Sequence, residues 1–95
     1  MMREPKYGVR MTAQFKREYK LAKKRGFDMQ LMKDIIEKLS MGEPLPEKNR
    51  DHALSRKFAT YRECHILPDW LLIYQIRENV LTLTLSRTGS HSDLF

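Results

Sequence analysis

Two hydrophobic periods divide this chain. From Thr12 to about Arg25, Phe15, Tyr19 and Ala22 recur at helical spacing, and Leu21 widens their stripe. Lys16, Lys20 and Lys23 follow a neighbouring face. Thr12 suits an N-cap and Gly26 a stop, so the pattern predicts a helix between them. A second helix is predicted from the stripe Met32, Ile35, Ile36 and Leu39, bounded by a cap at Asp28 and by Gly42 with the break "EPLPEKN". The aromatic and methionine positions of both stripes read as core. In the second half the period becomes two. The segments "YRECHI", "WLLIYQIR" and "VLTLTLSR" are rich in β-branched and aromatic residues, and "LPD" and "EN" separate them. In the last, Leu81, Leu83 and Leu85 alternate with Thr82, Thr84 and Ser86, as in a half-buried strand. Connections this short predict an antiparallel meander, and "KYGVR" near the start offers one further strand. The expected fold class is α+β: two N-terminal helices on one face of an antiparallel sheet whose other face is partly open, in a single domain over residues 1–95.

Ninety-five residues suffice for one modest core. A lone cysteine, Cys64, forbids an internal disulfide and suits a reducing compartment. The first ten residues, "MMREPKYGVR", have no apolar run of the signal-peptide kind, and no stretch approaches the roughly 20 apolar residues of a membrane span. A cytoplasmic protein with no membrane partner is expected. The net charge of +6 is unevenly placed. Residues 1–50 hold thirteen Lys/Arg against seven Asp/Glu, while residues 51–95 hold five of each. The run "KREYKLAKKR" concentrates Lys16, Arg17, Lys20, Lys23, Lys24 and Arg25 around the single acid Glu18. Such a stripe is the electrostatic footprint of a polyanion binder, although a solvated helix face produces the same pattern.

The residues able to do chemistry lie after the basic helix. His52, His65 and His91 sit in "RDHALS", "ECHILPDW" and "GSHSDLF". Asp69 and Trp70 follow His65 in a turn, and Arg87 ends the last strand. In a meander these can converge on one side of the sheet. No CxxC or HxH spacing supports a metal site, and none is expected. Cys64 alternates with its neighbours so as to face the core, which removes it as a nucleophile. Histidine serves as acid or base near neutrality. Arginine offers a fork to a phosphate gaining charge, and aromatic rings offer stacking faces. These are the parts of cofactor-free RNA cleavage, in which a ribose 2′-hydroxyl attacks the adjacent phosphorus, a route closed to DNA.

The segments "YRECHI-x-PDWLLIY" and "RTGSHSDLF", preceded by "DHALS", resemble the YafQ branch of the RelE/ParE superfamily of bacterial toxins. The resemblance covers the second half with its motifs in order, and the helix pattern and charge of the first half agree. It implies a RelE-like, microbial-ribonuclease-like fold and a ribosome-dependent endoribonuclease. Such an enzyme cuts mRNA in the decoding site and is silenced by a cognate antitoxin protein. Carried over by position, His52, His65, Asp69 and His91 are the catalytic set, and Arg87 stabilises the phosphate. Trp70 and Phe95 match aromatics that position the message; apart from that carry-over, the basic helix is expected to grip ribosomal RNA. His91 is the candidate general acid, while the base stays open among His52, His65 and Asp69. Arg56, Ala59, Thr60 and Leu67 depart from the family pattern near His52.

Two other readings compete. A ParE-like toxin acting on DNA gyrase would lack the His/Asp/Arg set, and a non-catalytic RNA-binding module would leave the histidines without work. Strict alternation would carry Arg87 to the side of Leu81, Leu83 and Leu85, against the core, unless a bulge or strand end at Ser86 re-aims it.

Overall fold

The computed structural model describes residues 4–95. The first strand, β1 (Gly8–Met11), leads directly into α1 (Ala13–Lys24) and α2 (Met29–Ser40). The Thr12 side chain accepts from the Phe15 N–H, and that of Asp28 accepts from the Gln30 N–H, so both expected caps are made. Gly26 has φ +84°, the left-handed value that ends a helix at little cost only with glycine. The meander follows as β2 (His52–Ala53), β3 (Arg62–Leu67), β4 (Trp70–Arg77) and β5 (Thr82–Gly89), and a final turn of helix, α3 (His91–Leu94), closes the chain. No helix among the described residues is long and apolar enough to cross a membrane.

The sheet order is β1-β5-β4-β3-β2. The meander is antiparallel throughout, but β1 pairs with β5 in parallel, Gly8 opposite Thr82 and Met11 opposite Leu85. The sheet is therefore mixed rather than wholly antiparallel. Topology explains the difference: β1 is joined through both helices to β2 at the far edge, not to its neighbour β5, so no short hairpin ties β1 to β5 and parallel pairing is open to it.

One face of the sheet supplies Cys64, Ile66, Trp70, Leu72, Tyr74, Leu83 and Leu85 to the core, and the helices supply Phe15, Ala22, Met32, Ile35 and Leu39. Each large apolar side chain buried there contributes about 1.5–3 kcal/mol relative to exposure. Leu81 stands outside this set. It lies in the left-handed turn before β5 and is half exposed. On β4, Leu71 and Ile73 are buried too, on the opposite face. That second face holds the candidate site.

The parity of β5 changes at Ser86. Tyr74 stands opposite Leu85, yet Ile73 stands opposite Arg87, so Ser86 is the extra residue of a bulge. The bulge falls where β1 ends and α1 begins. There the Thr12 hydroxyl donates to the Ser86 carbonyl at 2.8 Å and the Thr12 N–H to the Leu85 carbonyl at 3.1 Å. Beyond it Thr88, 1% exposed, takes the core side, and Arg87 turns with Ile73 to the open face.

Candidate active site

Register places the site residues in two rows. His52 is opposite Glu63, Glu63 opposite Ile73, and Ile73 opposite Arg87. Directly opposed residues share a face, so these four form one line across four strands. With strands about 4.8 Å apart, the backbones of His52 and Arg87 are roughly 14 Å from each other. In the next row His65 is opposite Leu71 and Leu71 opposite Gly89. Just past Gly89 the chain turns back over the sheet. A Cβ at Gly89 would come within 3.0 Å of the Asp93 Cβ, so the close return needs glycine. A capping box at Ser90 and Asp93 starts α3 and seats His91 on its first turn.

His91 is held twice by one carboxylate. Its backbone N–H donates to Asp69 Oδ1 at 3.2 Å, and its Nδ1 lies 3.1 Å from the same oxygen. These donors hold the Asp69 carboxyl below its ordinary range, the backbone N–H contributing most. An ionised carboxylate only accepts, so Nδ1 carries a proton and Nε2 stays free of that carboxylate. The His91 ring tilts against His65 with centroids 5.7 Å apart.

The other two histidines meet at Glu63, which the sequence reading passed over. Its carboxylate, 8% exposed, lies 3.7 Å from His52 Nε2 and 3.6 Å from His65 Nε2. Each ring is oriented from behind by a carbonyl, Arg50 at 2.8 Å for His52 Nδ1 and Pro68 at 3.2 Å for His65 Nδ1. Carbonyls accept only, so each Nδ1 carries hydrogen and each Nε2 faces the acid. His52 is positioned further through its neighbour Asp51, which accepts from the Tyr74 hydroxyl and, at 3.2 Å, from Arg62 Nε–H. The parity signal was present in the sequence: Glu63 and His65 are two apart on one strand and must share a face.

Arg87 lies at the other end of the first row and is held by Glu18 of α1. Its Nη2–H donates to Glu18 Oε2 at 2.6 Å and its Nε–H to Glu18 Oε1 at 3.3 Å, while the Thr88 N–H donates to Oε1 at 3.2 Å. Glu18 thus takes over as hydrogen-bond partner of β5 where β1 has ended. Arginine has five N–H donors, so three remain for a further anion, and the side chain is 37% exposed.

Trp70 corrects the sequence reading. It is 2% exposed, donates from Nε1 to Thr88 Oγ1 at 3.0 Å and packs edge-on against Phe27. With no free ring face, it holds the core beneath the site and cannot stack on a base. Phe95, in contrast, is 67% exposed beside the row. Cys64 is fully buried as expected, and burial pushes its thiol far up. The basic helix divides. Arg17 and Arg25 line a cleft of about 360 Å³ that also holds Glu18 and Arg87, and Arg25 reaches Asp93 of α3 at 3.4 Å. Lys16 and Lys20 line a different hollow with Lys33 of α2. Lys23 and Lys24 are exposed at the last turn.

The fold also assembles donors that linear spacing did not reveal. Glu63, His65 and His91 each present one ligand atom, all within 4.8 Å of one another. Two imidazoles and a carboxylate form a donor set that suits a transition metal.

Two helices packed on a five-stranded mixed sheet match the fold of YafQ/RelE-like toxin structures. The family model described as the bacterial toxin of type II toxin-antitoxin system, YafQ, matches residues 7–95, and the chain belongs to that family. The mRNA interferase toxin YafQ of Escherichia coli BL21-DE3 is 38% identical over 88 residues, covering 92% of this chain and 94% of the relative. The E. coli DinJ-YafQ toxin-antitoxin complex superposes with a TM-score of 0.87 at 35% identity, covering 95% of this chain and 98% of the other. A metal-bound toxin from Helicobacter pylori gives 0.89 at 39% identity, with 94% and 99% covered.

Proposed function

We propose that the protein is a ribosome-dependent endoribonuclease that cuts mRNA in the decoding site and is silenced in the cell by a cognate antitoxin. The carrying observation is the convergence of the Asp69–His91 pair, the Glu63-linked histidines and Arg87 on one face of the sheet. The message lies across that face with its scissile phosphate between the two ends of the row. The free donors of Arg87 bind the phosphate as it gains charge. Nε2 of His91 protonates the departing 5′-oxygen, with Asp69 stabilising the imidazolium. The proton of the attacking 2′-hydroxyl passes to the Glu63, His52 and His65 cluster. Asp69, held ionised by His91, acts as the orienting group and not as the base.

The basic residues of α1 serve ribosomal RNA, those beside Arg87 lying nearest the chemistry. A protein of this design works in the cytoplasm, where ribosomes and antitoxin are. The reaction consumes no metal: every proton transfer has a side chain to carry it. A metal held by Glu63, His65 and His91 has support from the donor geometry and from the metal-bound Helicobacter relative. Such an ion would occupy the imidazoles, so it is expected to inhibit.

The test is primer-extension mapping of a translating message, with wild type beside His91→Ala and with message lacking ribosomes. A cut inside the decoding site that needs the ribosome and is lost in the variant supports the reading. It should survive a chelator selective for zinc and copper. Growth arrest without any cut would redirect attention to gyrase.

A further inference from the structure

Beside Arg87 the open face carries a hollow of about 290 Å³, lined mainly by Leu54, Phe58, Tyr61, Ile73 and Phe95 with Arg87 at its edge. A second hollow continues from it along Leu54, Phe58 and Phe95 past Arg56 and Lys57. Of the four phenylalanines in the chain, Phe15 is fully buried and Phe27 packs against Trp70. Phe58 and Phe95 are 48% and 67% exposed, and both stand at this one place. Ile73 lies between Glu63 and Arg87 in the cross-strand row, so the hollow adjoins the position assigned to the scissile phosphate. Its lining is apolar and aromatic, and its surroundings are cationic through Arg56, Lys57 and Arg87. A nucleotide has that pairing of properties: a flat apolar base attached to a phosphate.

We propose that this hollow is a nucleobase subsite, in which Phe58 and Phe95 stack on one base of the message while its phosphate meets Arg87. The inference rests on the ribonuclease reading and extends it from Phe95, which the resemblance already sets against the message, to Phe58 and the walls of the hollow, which no sequence motif singled out. Leu54 and Tyr61 shape the walls. Residues 54–61 therefore help to determine which nucleotide is presented to the cut, because every base has a π-face but the walls limit its size and tilt. Phe58 is the better probe, since it comes from a different part of the chain than the tail bearing His91.

The experiment compares wild type, Phe58→Leu and Phe58→Tyr on a ribosome-bound message, measuring kcat/KM, the pattern of cut sites and the thermal midpoint. Leucine keeps the apolar packing without the ring; tyrosine keeps the ring. Losing one base–aromatic stack should lower kcat/KM on the order of 10- to 100-fold in Phe58→Leu. The cut-site pattern should also change while the midpoint holds, and Phe58→Tyr should restore both rate and pattern. A wild type that cuts beside an equally active Phe58→Leu with the same sites would overturn the subsite, even if antitoxin capture weakened, which would make the hollow a protein-docking surface. A parallel fall of rate and thermal midpoint in both variants would also overturn it, showing Phe58 to be structural. A wild type that never cuts would instead remove the underlying ribonuclease reading.

Discussion

Asp69 and His91 come from opposite sides of the last hairpin, yet Asp69 Oδ1 receives both the backbone N–H of His91, at 3.2 Å, and its ring Nδ1, at 3.1 Å. One carboxylate therefore fixes the position of the chain end and the tautomer of its imidazole together. Replacing Asp69 by Asn keeps an acceptor but removes the charge that stabilises the imidazolium. Asp69→Asn is expected to lower kcat on the order of 10- to 100-fold, less than the ~10²–10⁴-fold loss of an acid–base group in His91→Ala. Single-turnover cleavage at saturating ribosome checks this, and ribosome affinity should be unchanged.

The same contact has a pH signature. Asp69 is depressed chiefly by the His91 backbone N–H, and Asp93 chiefly by the Ser90 backbone N–H. A carboxyl whose folded pKa is lowered stabilises the folded tail fully above its unfolded pKa of about 3.9. That contribution disappears as pH falls through the lower folded value. The tail should therefore stay docked from neutrality to below about pH 4 and loosen only in stronger acid. Carbon-detected NMR of the Asp69 and Asp93 carboxyls would follow this directly. Loosening between pH 5 and 6 would contradict it.

Glu63 connects two histidines from a nearly solvent-free position. Gln at this position preserves shape but cannot accept a proton. Glu63→Gln is expected to lose on the order of 10²-fold in cleavage rate and to weaken zinc or copper binding, with little change in thermal midpoint. A variant that cuts as fast as wild type would take Glu63 out of the chemistry.

Trp70→Phe separates core from site. It removes the indole hydrogen bond to Thr88 and part of a fully packed ring, at a cost of about 1–3 kcal/mol. The thermal midpoint should fall while kcat per folded molecule stays the same. A raised KM for the ribosome-bound message at unchanged stability would place the indole against RNA after all.

The helices, their caps and the meander were legible because each depends on a short repeating pattern: 3.6 residues for the stripe of Met32, Ile35 and Leu39, two for Leu83 and Leu85. The three histidines were legible as candidates for chemistry, and the fold gathers them near Glu63 and Asp69. What escaped was set by relations between distant segments. The parallel seating of Gly8–Met11 is a pairing with Thr82–Leu85, near the other end of the chain. The bulge at Ser86, foreseen only as one way to re-aim Arg87, arises where Thr12 meets Leu85 and Ser86. Glu18 looked like an isolated acid in a basic helix until the fold put it 2.6 Å from Arg87. Trp70 was misread because an aromatic beside Asp69 suits a stacking platform; the pleat, which turns alternate residues to opposite faces, sent it inward. Glu63 could have been found from strand parity with His65 alone.

The reaction proposed for this face is attack of the ribose 2′-hydroxyl on the adjacent phosphorus. It is tested most directly with a ribosome-bound message carrying a single 2′-deoxynucleotide on the 5′ side of the mapped cut. The prediction is that this one substitution abolishes cleavage there, and that the unsubstituted message yields a 2′,3′-cyclic phosphate and a 5′-hydroxyl. Persistent cleavage at the deoxy position, or fragments bearing a 3′-hydroxyl and a 5′-phosphate, would contradict it.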